Sequence, residues 1–376
     1  MKKAGILGGG QLGRMLLQAA VNYPVETYLM ENEENAPAAH LCHHFTKGDI
    51  TRFEDVYDFG KHLDFLTIEI ENVNLEALEK LSEEGVIVYP NPAALKIIKN
   101  KIQQKQFYVE HNIPTSAFVV THSIEDLKNN AHLFPAVHKV SNGGYDGKGV
   151  QIIRNIEDCH KGFYTAAVLE KMVNIKQEIA IIIAVGNDGQ IAIYPPVDMV
   201  FDQMLNLLSY QICPAEIPQS VFWKAEAIAI NAVKNLKSPG LFAVEMFADN
   251  DGNVLINEIA PRVHNSGHHT IEGNYSSQFD MMWRIMLDYP LGNTAIIQST
   301  ALVNLIGEEG HSGDAIYFGM NEVLSMDNTF VHIYGKQKTK PGRKMGHITV
   351  ISNEKQELLH KVNKIKNSLS VRSQTL

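Results

Sequence analysis

The sequence has little cysteine, no long apolar run and no excess of positive charge. Its 376 residues include three cysteines, Cys42, Cys159 and Cys213, which are isolated and odd in number. This usage argues against a disulfide framework or a zinc site and favours a soluble protein in a reducing cytoplasm. The longest apolar run, near residues 179–185, is far too short to span a bilayer. The net charge of −9 argues against nucleic-acid or membrane-surface partners, so any anionic ligand must be held by local basic clusters.

No pattern of a signal peptide, a low-complexity segment or an internal repeat is visible either. Two lysines stand near the start, but the apolar run after them is broken by Gly, Gln and Arg before it could serve as a signal peptide. Hydrophobic residues make up 45% and charged residues 20% of the chain, as in an ordinary globular protein. At this length we expect two or three domains with a substantial core.

A glycine-rich motif follows the first apolar segment. Residues 4–7 predict a short strand, and residues 8–13, GGGQLG, open a helix and match G-x-G-x-x-G. Backbone N–H groups at such a helix start can face a phosphate. One interpretation is a dinucleotide fold in which Glu31 binds ribose hydroxyls. The other is a terminal-phosphate site, which Gln11 and Arg14 would suit, and no hydride-transfer residues are visible downstream.

Strand and helix patterns alternate over the first 95 residues. This alternation predicts an α/β unit with a parallel sheet whose ligands lie at the carboxyl ends of the strands. Glu69 and Glu71 stand at such an end, where they could serve a site or simply cap a helix. A single lysine-rich helix is predicted over residues 93–111, and its lysines, Lys105 among them, are expected on a solvated face.

Features typical of a nucleotide site follow in the middle of the chain. Lys139 ends an apolar strand, where a lone lysine is costly unless it meets an anion. Residues 143–149 contain four glycines in seven positions, so they predict either a mobile phosphate-binding loop that carries Lys148 or a plain glycine turn. Glu178 enters a long buried strand, and an extended segment of this kind can present backbone groups to adenine while the carboxylate holds ribose.

A predicted β-hairpin places two carboxylates opposite each other. If Asp249 faces Val254, the antiparallel register puts Glu245 opposite Glu258 with Cβ atoms about 5 Å apart. Two such carboxylates would repel, and one would take up a proton unless a cation lay between them. With Asn257 alongside, the oxygen donors suit Mg²⁺ with a nucleotide. The alternative is a partly exposed hairpin whose glutamates point to solvent.

Two polar stretches complete the pattern. Residues 261–268, PRVHNSGH, are too polar for a core strand and predict an anion-binding loop. From about residue 293 the composition shifts to short strands, which suggest a small mixed or β-rich terminal domain. Residues 335–344 include five basic residues in ten, so they indicate either a phosphate clamp or an exposed hairpin tip.

Together these segments resemble the ATP-grasp superfamily and, within it, the 5-(carboxyamino)imidazole ribonucleotide synthetases of purine (IMP) biosynthesis. The resemblance is carried, in this order, by GGGQLGRM at 8–15, GGYDGKG at 143–149, NEIAPRVHNSGH at 257–268 and GRKMGH at 342–347. It implies an α/β fold, α+β overall, with a Rossmann-like pre-ATP-grasp domain at 1–98. An ATP-grasp domain at 99–292, with a lid at about 115–173, and a small β-rich domain at 293–376 would follow. The resemblance also implies a homodimer.

The same resemblance implies three groups of site residues. The first binds ATP and Mg²⁺, the second surrounds bicarbonate, and the third binds the ribonucleotide. ATP would be held by Lys101, Lys139, Gly144, Tyr145, Asp146, Gly147, Lys148, Gly149, Val150, Glu170, Lys171, Met172, Val173, Glu178, Asn257 and Glu258. Mg²⁺ would be held by Glu245 and Glu258, and the catalytic residues around bicarbonate would be Tyr145, Asp146, Arg262, His264 and Asn265. Aminoimidazole ribonucleotide would contact Gly10, Gln11, Leu12, Glu69, Lys336, Arg343 and Lys344.

The reaction that this resemblance implies is phosphorylation of bicarbonate by ATP, followed by attack of the exocyclic amine of aminoimidazole ribonucleotide on the carboxyphosphate. A closed lid would keep water from that labile intermediate. Lys101 stands where the family usually has an arginine, and Phe201 where many members have a histidine. The alternatives are a biotin carboxylase, a formate-dependent transformylase, an NAD-dependent oxidoreductase and a catalytically silent nucleotide-binding protein.

Overall fold

The first sheet of the computed structural model is parallel and lies near the N-terminus. The structure describes residues 1–143, 149–202 and 207–374. The strands are β1 Lys2–Leu7, β2 Val25–Glu31, β3 His44–Lys47, β4 Phe65–Ile68 and β5 Ile87–Tyr89, in the order β3-β2-β1-β4-β5. Helices α1 Gln11–Ala20, α2 Phe53–Gly60 and α3 Leu75–Glu83 connect them, as the alternating pattern predicted. This order switches direction between β1 and β4, the place where open α/β sheets bind ligands.

The lysine-rich segment is interrupted, so the prediction of one helix over residues 93–111 is wrong. It forms α4 Pro92–Lys99 and α5 Lys101–Glu110, separated by Asn100 in an extended conformation. The Asn100 side chain accepts a hydrogen bond from the Gln103 N–H at 3.0 Å. Asparagine is among the residues that favour this capping position, so a new helix starts after it.

An antiparallel sheet follows between α5 and the central sheet. It contains β6 Phe118–Thr121, β7 Ala136–Val140, β8 Val150–Ile153 and β9 Ala167–Lys171, in the order β6-β9-β7-β8. Helix α6 Ile124–Asn129 begins with a capping box formed by Ser123 and Asp126. Leu127, Ile153 and Leu169 belong to a small core of its own. These elements lie in the segment for which the resemblance implied a lid.

The central sheet continues into the C-terminal region. Its strands are β10 Ile175–Val185, β11 Ile191–Ile193, β12 Val197–Asp202, β13 Leu207–Cys213, β14 Gly240–Asp249, β15 Val254–Ala260, β16 Thr300–Ile306, β18 Thr329–Ile333 and β20 Lys344–Ile351. The order is β15-β14-β10-β12-β13-β16-β20-β18, with β11 beside β10. Because β13 pairs with β16, strands β16, β20 and β18 extend the same sheet as the hairpin.

The remaining elements tie the ends of the chain together. Helix α7 Gln219–Leu236 packs on the central sheet, and α8 Thr270–Gly273 and α9 Gln278–Met286 follow the polar loop. Strands β17 Gly313–Phe318, β19 Lys338–Thr339 and β21 Ser370–Ser373 pair in the order β19-β17-β21, near α10 Met320–Leu324 and α11 Lys355–Ser368. The pairing of β21 with β17 ties the chain after α11 to this sheet.

One apolar core contains residues from distant parts of the chain. Leu16 of α1, Trp283 of α9 and Tyr334 beyond β18 belong to the same buried cluster. The Trp283 indole N–H donates to the Leu16 carbonyl at 2.7 Å, which fixes α9 against α1. The Met and Trp residues of α9 are buried core residues. Across the described ranges, no helix combines the length and the apolar character that a membrane crossing requires.

Candidate active site

The hairpin of β14 and β15 places Glu245 opposite Glu258, as predicted from the register. The pairs nearer the loop differ by one residue from that prediction, because Ala248 rather than Asp249 faces Val254. A β-bulge then restores the predicted pairing, with Asn257 as the extra residue. A bulge of this kind re-aims side chains beside a site. The glutamate pairing is thus confirmed, although the register at the loop is wrong.

The two glutamates have opposite electrostatic environments. Burial, together with the neighbouring Glu258, raises the pKa of Glu245. The pKa of Glu258 is lowered by Lys101, whose Nζ lies 2.5 Å from Glu258 Oε2. Among the described residues no three His, Cys, Asp or Glu side chains converge on a metal position. Two carboxylates with the Asn257 amide oxygen nevertheless fit Mg²⁺ that completes its shell with ligand oxygens and water.

Two lysines approach the hairpin from other elements. Lys139, at the end of β7, has its Nζ 3.0 Å from Asn257 Oδ1 and 3.1 Å from Glu170 Oε1. Lys101 opens α5, and although burial opposes its charge, the carboxylates of Glu258, Glu170 and Glu71 together raise its pKa. The anion that Lys139 was expected to meet therefore includes a carboxylate of the protein itself.

A buried ion-pair network lies behind Lys139. Lys105 and Glu170 are 2% and 4% exposed, and their Nζ and Oε2 atoms are 2.8 Å apart. The Ser116 hydroxyl donates to the same Glu170 Oε2 at 2.6 Å. Burial alone would raise the pKa of Glu170, but Lys139 and Lys105 lower it to about 2. Burial lowers the pKa of Lys105 to about 8.

One expectation about this network is corrected, and another stays a prediction. Lys105 was expected on a solvated face, which is wrong, because α5 starts at Lys101 and places Lys105 one turn further along on the same inward side as Tyr108. This i, i+4, i+7 spacing was the available signal. That Glu170 lines adenine stays a prediction, and its side chain is held by Lys105 and Lys139.

The resemblance implied further ATP-binding residues, some of which fall outside the described ranges. Gly144, Tyr145, Asp146, Gly147 and Lys148 fall in the part of the chain that the structure does not describe. Gly149 adopts φ +77°, and Val150 begins β8. Lys171 ends β9, with Met172 and Val173 directly after it. Burial raises the pKa of Glu178 on β10 to about 7, and Phe201 on β12 packs against a small apolar cluster.

The polar loop after β15 brings Arg262 and His264 to the hairpin. Arg262 Nε lies 2.9 Å from Glu71 Oε1, and its Nη2 donates to Glu71 Oε2 at 3.1 Å. His264 Nε2 is 3.7 Å from Glu245 Oε1. The Gln278 side chain accepts from the His264 N–H at 2.9 Å and donates to its carbonyl at 2.7 Å, which fixes the loop. Asn265 follows, and within the described part of the chain its Oδ1 has no hydrogen-bond partner.

Carboxylates cap the glycine loop. Glu69 Oε2 accepts from the Gly10 N–H at 2.8 Å, and its Oε1 accepts from the Leu12 N–H at 3.1 Å. Glu31 accepts from the Gly9 N–H at 2.8 Å. A Cβ at Gly10 would clash with Glu69 Oε1, so a side chain here would displace that carboxylate. Because these N–H groups are engaged, the geometry disfavours a pyrophosphate here. Gln11 begins helix α1 directly after them.

The basic segment at residues 335–344 folds back to helix α1. A Cβ at Gly335 would lie 3.4 Å from Nη1 of Arg14 on α1. Lys336 donates to the Lys344 carbonyl at 2.7 Å, and Arg343 donates to the Lys338 carbonyl at 2.9 Å. These contacts shape a basic loop beside the helix that the glycine motif opens.

Comparisons with known proteins agree with this arrangement. Residues 1–99 match a ribonucleotide synthetase preATP-grasp domain, residues 106–279 an ATP-grasp domain, and residues 300–361 a phosphoribosylaminoimidazole carboxylase C-terminal domain. The N5-carboxyaminoimidazole ribonucleotide synthase of Aquifex aeolicus is 33% identical over 374 residues, which cover 97% of this chain and 96% of that protein. The chain belongs to the N5-carboxyaminoimidazole ribonucleotide synthetase family. These ATP-dependent ligases have the ATP-grasp fold, so the fold and the family that the motifs predicted are confirmed.

Solved structures of the synthetase family have the same fold. The Thermotoga maritima synthetase has a TM-score of 0.91 at 35% identity and covers both chains completely. An Aspergillus clavatus synthase in complex with ADP and 5-aminoimidazole ribonucleotide has a TM-score of 0.87 at 30% identity, with 97% of this chain and 99% of that chain covered. The chain spans only 64% of the length of the chloroplastic phosphoribosylaminoimidazole carboxylase of Vigna aconitifolia, to which it is 35% identical.

Proposed function

We propose that this chain carboxylates 5-aminoimidazole ribonucleotide with ATP and bicarbonate and forms 5-(carboxyamino)imidazole ribonucleotide through carboxyphosphate in purine biosynthesis. The observation that carries the proposal is the convergence of three features on one edge of the central sheet. These are the Glu245 and Glu258 pair, the partly buried cation Lys139 and the loop that holds Arg262. The names of the synthetase relatives support the choice of reaction.

The proposed nucleotide site lies between the hairpin and the sheet of β6 to β9. Its members would be Lys101, Lys139, residues 144–150, residues 170–173, Glu178, Asn257 and Glu258. Lys139 can add a phosphate oxygen to its contacts with Glu170 and Asn257, because an ammonium has three N–H donors. Glu245 and Glu258 would hold Mg²⁺, which would neutralise phosphate charge when bound.

The bicarbonate site would lie at the polar loop. Glu71 fixes the Arg262 guanidinium at two points, so the arginine can stabilise the anionic carboxyphosphate without reorienting. His264 and Asn265 would border this space with Tyr145 and Asp146. The ribonucleotide would extend from there to the glycine loop, where Gly10, Gln11, Leu12 and Glu69 would contact it. Lys336, Arg343 and Lys344 would bind its phosphate as a clamp.

One assay separates this function from its alternatives. ADP release is measured with bicarbonate and Mg²⁺, with and without 5-aminoimidazole ribonucleotide, and product is quantified in parallel. We expect ADP release to require bicarbonate and to rise strongly with the ribonucleotide. Activity with formate in place of bicarbonate, or with biotin in place of the ribonucleotide, would overturn the assignment. Binding of NAD would instead favour an oxidoreductase.

We also propose a cytoplasmic location and a homodimer. No disulfide joins Cys42, Cys159 and Cys213, all of which the structure describes, and free thiols suit a reducing compartment. Light scattering at several protein concentrations tests the dimer, and a mass of 41.9 kDa at every concentration would refute it.

A further inference from the structure

A stack of three imidazole rings lies between the polar loop and the basic loop. His347 of β20 stands between His332 of β18, with ring centroids 4.4 Å apart and planes at 11°, and His268 of the polar loop, at 4.9 Å and 29°. His268 and His347 are 0% exposed. The stack therefore joins the segment that carries His264 to the strands that flank residues 335–344.

Hydrogen bonds fix each ring of the stack to a different element. The Tyr334 hydroxyl and His347 Nδ1 are 3.0 Å apart, and Gln278 Nε2 lies 3.2 Å from His268 Nδ1. His332 Nε2 lies 2.7 Å from Glu272 Oε1 of α8. Burial lowers the pKa of both His268 and His347 well below the ordinary value, so these two rings are neutral. Neutral rings can stack closely without charge repulsion.

The stack continues directly into the basic loop. The Tyr334 ring lies under Lys336, whose Nζ is 5.6 Å from the ring centroid. The same Lys336 Nζ donates to the Lys344 carbonyl, so the position of the Tyr334 ring sets one side of the loop. A continuous series of contacts thus runs from His268 through His347 and Tyr334 to the basic loop.

Packing alone does not explain imidazole at these positions. His268 Nε2 and His347 Nε2 have no hydrogen-bond partner among the described residues, and a buried polar atom without a partner destabilises a fold. Phenylalanine would fill the same planar space without that cost. The bond between His347 and the Tyr334 hydroxyl requires a ring nitrogen, which points to a role in orientation.

We propose that His347 is a positioning residue that holds the phosphate clamp of residues 335–344 in register with the polar loop of residues 261–268. The inference rests on the proposed function, because it takes the clamp to bind the ribonucleotide phosphate. His347 itself contacts neither that phosphate nor the reacting atoms. It acts through Tyr334 on one side and through His268 on the other.

The test compares two substrates in two variants. His347→Phe keeps a planar ring but removes the nitrogen, and Tyr334→Phe removes only the hydroxyl at the other end of the same bond. The kcat/KM is measured for 5-aminoimidazole ribonucleotide and for the riboside that lacks the phosphate. We expect each variant to lose roughly fivefold or more with the ribonucleotide. The riboside values and the KM for ATP should stay within about twofold, because neither depends on the clamp.

Matched controls come from the same region. Tyr317→Phe removes a hydroxyl that donates to the Met345 carbonyl at 3.4 Å, and His360→Phe changes an exposed histidine on α11. Neither control should alter the preference for the ribonucleotide. If His347→Phe fails to fold, as judged by thermal melting, Tyr334→Phe decides the question.

The outcomes separate this inference from the proposed function. Equal losses with ribonucleotide and riboside would show a merely structural role, and unchanged kinetics in a folded variant would show no role, so either result overturns the inference alone. The inference alone is also overturned if Arg343→Ala loses the preference for the ribonucleotide over the riboside while His347→Phe keeps it. A wild-type enzyme that uses both substrates equally would refute the clamp and the inference together.

Discussion

Glu71 and Arg262 are 191 residues apart in the sequence, yet the carboxylate contacts the guanidinium at two points, at 2.9 Å and 3.1 Å. Glu71 follows β4 of the N-terminal sheet, whereas Arg262 follows β15 of the central sheet. Glu69, two residues before Glu71, holds the glycine loop. The turn after β4 therefore connects the proposed ribonucleotide pocket to the proposed bicarbonate site.

We expect Glu71→Gln to lower kcat by roughly tenfold or more, because a charged hydrogen-bonded pair is worth about 1.5–3 kcal/mol. The amide keeps the size of the side chain but can no longer fix the guanidinium at two points. The KM for ATP should change little, since the contacts of Lys139 are untouched. Steady-state kinetics check both values, with Glu76→Gln on the exposed face of α3 as control. A Glu71→Gln enzyme with wild-type kcat would show that this ion pair does not orient Arg262.

The hairpin glutamates should be equally necessary for activity but should differ in their effects on stability. Glu245→Gln and Glu258→Gln should each abolish turnover, because each removes one charge from the proposed Mg²⁺ site. Without nucleotide and Mg²⁺, Glu245→Gln should keep or raise Tm, because it removes a carboxylate whose charged form is disfavoured by burial. Glu258→Gln should lower Tm because Lys101 loses its carboxylate partner.

Turnover assays at ordinary Mg²⁺ concentrations and calorimetry of the free proteins test these expectations. Near wild-type turnover in either variant would contradict a shared cation. A lower Tm for Glu245→Gln than for Glu258→Gln would contradict the electrostatic assignment while leaving the metal site open to other tests.

The pH dependence of stability should contain a contribution from Glu178. Burial raises its pKa to about 7 from the ordinary value of 4.5. A raised carboxyl pKa means that the folded state binds the proton more tightly than the unfolded state does. Its contribution to stability is therefore fully present below about pH 4.5 and is lost as the pH rises towards 7.

Glu178→Gln should remove this part of the pH profile. We expect the Tm of the nucleotide-free variant to exceed that of the wild type increasingly between about pH 5 and pH 7, with a small difference at the acid end. Glu110→Gln at the exposed end of α5 is the control and should follow the wild type. Parallel profiles for Glu178→Gln and the wild type would show that Glu178 is not buried as the structure indicates.

Lys105 should be far more important for stability than Lys96, which lies on the same predicted lysine-rich helix. Lys105→Met removes one of the two lysines that neutralise the buried Glu170, so the free energy of unfolding should fall by roughly 3 kcal/mol. Lys96→Met loses only an exposed pair with Glu79 and should change it by less than about 1 kcal/mol. Urea denaturation measures both values, and equal effects would contradict the buried network.

Local sequence patterns were enough to predict the hairpin. The pairing of Glu245 with Glu258 depends on one four-residue loop and the alternation of two adjacent strands. The strands pair one residue out of the predicted register next to the loop, and the bulge at Asn257 shifts them back. The glutamates therefore face each other because of the bulge, which a regular antiparallel register does not contain. A bulge depends on local backbone hydrogen bonding, which apolar alternation does not report.

The long-range partners of the site could not be predicted in the same way. The contact of Arg262 with Glu71 and that of Lys139 with Glu170 join residues far apart in the sequence, and no periodicity connects them. The burial of Lys105 did have a local signal. Asn100 is a strong helix N-cap residue, and recognising the break there would have indicated which face of α5 turns inward.

The proposed phosphate clamp gives the last prediction. Arg343 and Lys336 belong to the basic loop that lies beside Arg14 of α1, far along the chain from the hairpin. A charge-assisted contact to a phosphate is worth about 1.5–3 kcal/mol, so removal of either side chain should weaken ribonucleotide use by roughly tenfold or more. The KM for ATP should change little, since the proposed nucleotide site lies at β7 and β15.

Arg343→Ala is the cleaner of the two variants, because Lys336 also contacts the Tyr334 ring and the Lys344 carbonyl. We would measure the KM for ATP and for 5-aminoimidazole ribonucleotide in both variants, and repeat the second measurement with the riboside that lacks the phosphate. The riboside should be a poor substrate of the wild type. Both substitutions should leave its KM almost unchanged, because the phosphate that the two side chains would contact is absent. Loss of ATP binding, or equal losses with the two substrates, would instead identify residues 335–344 as a solvated loop without a phosphate to bind.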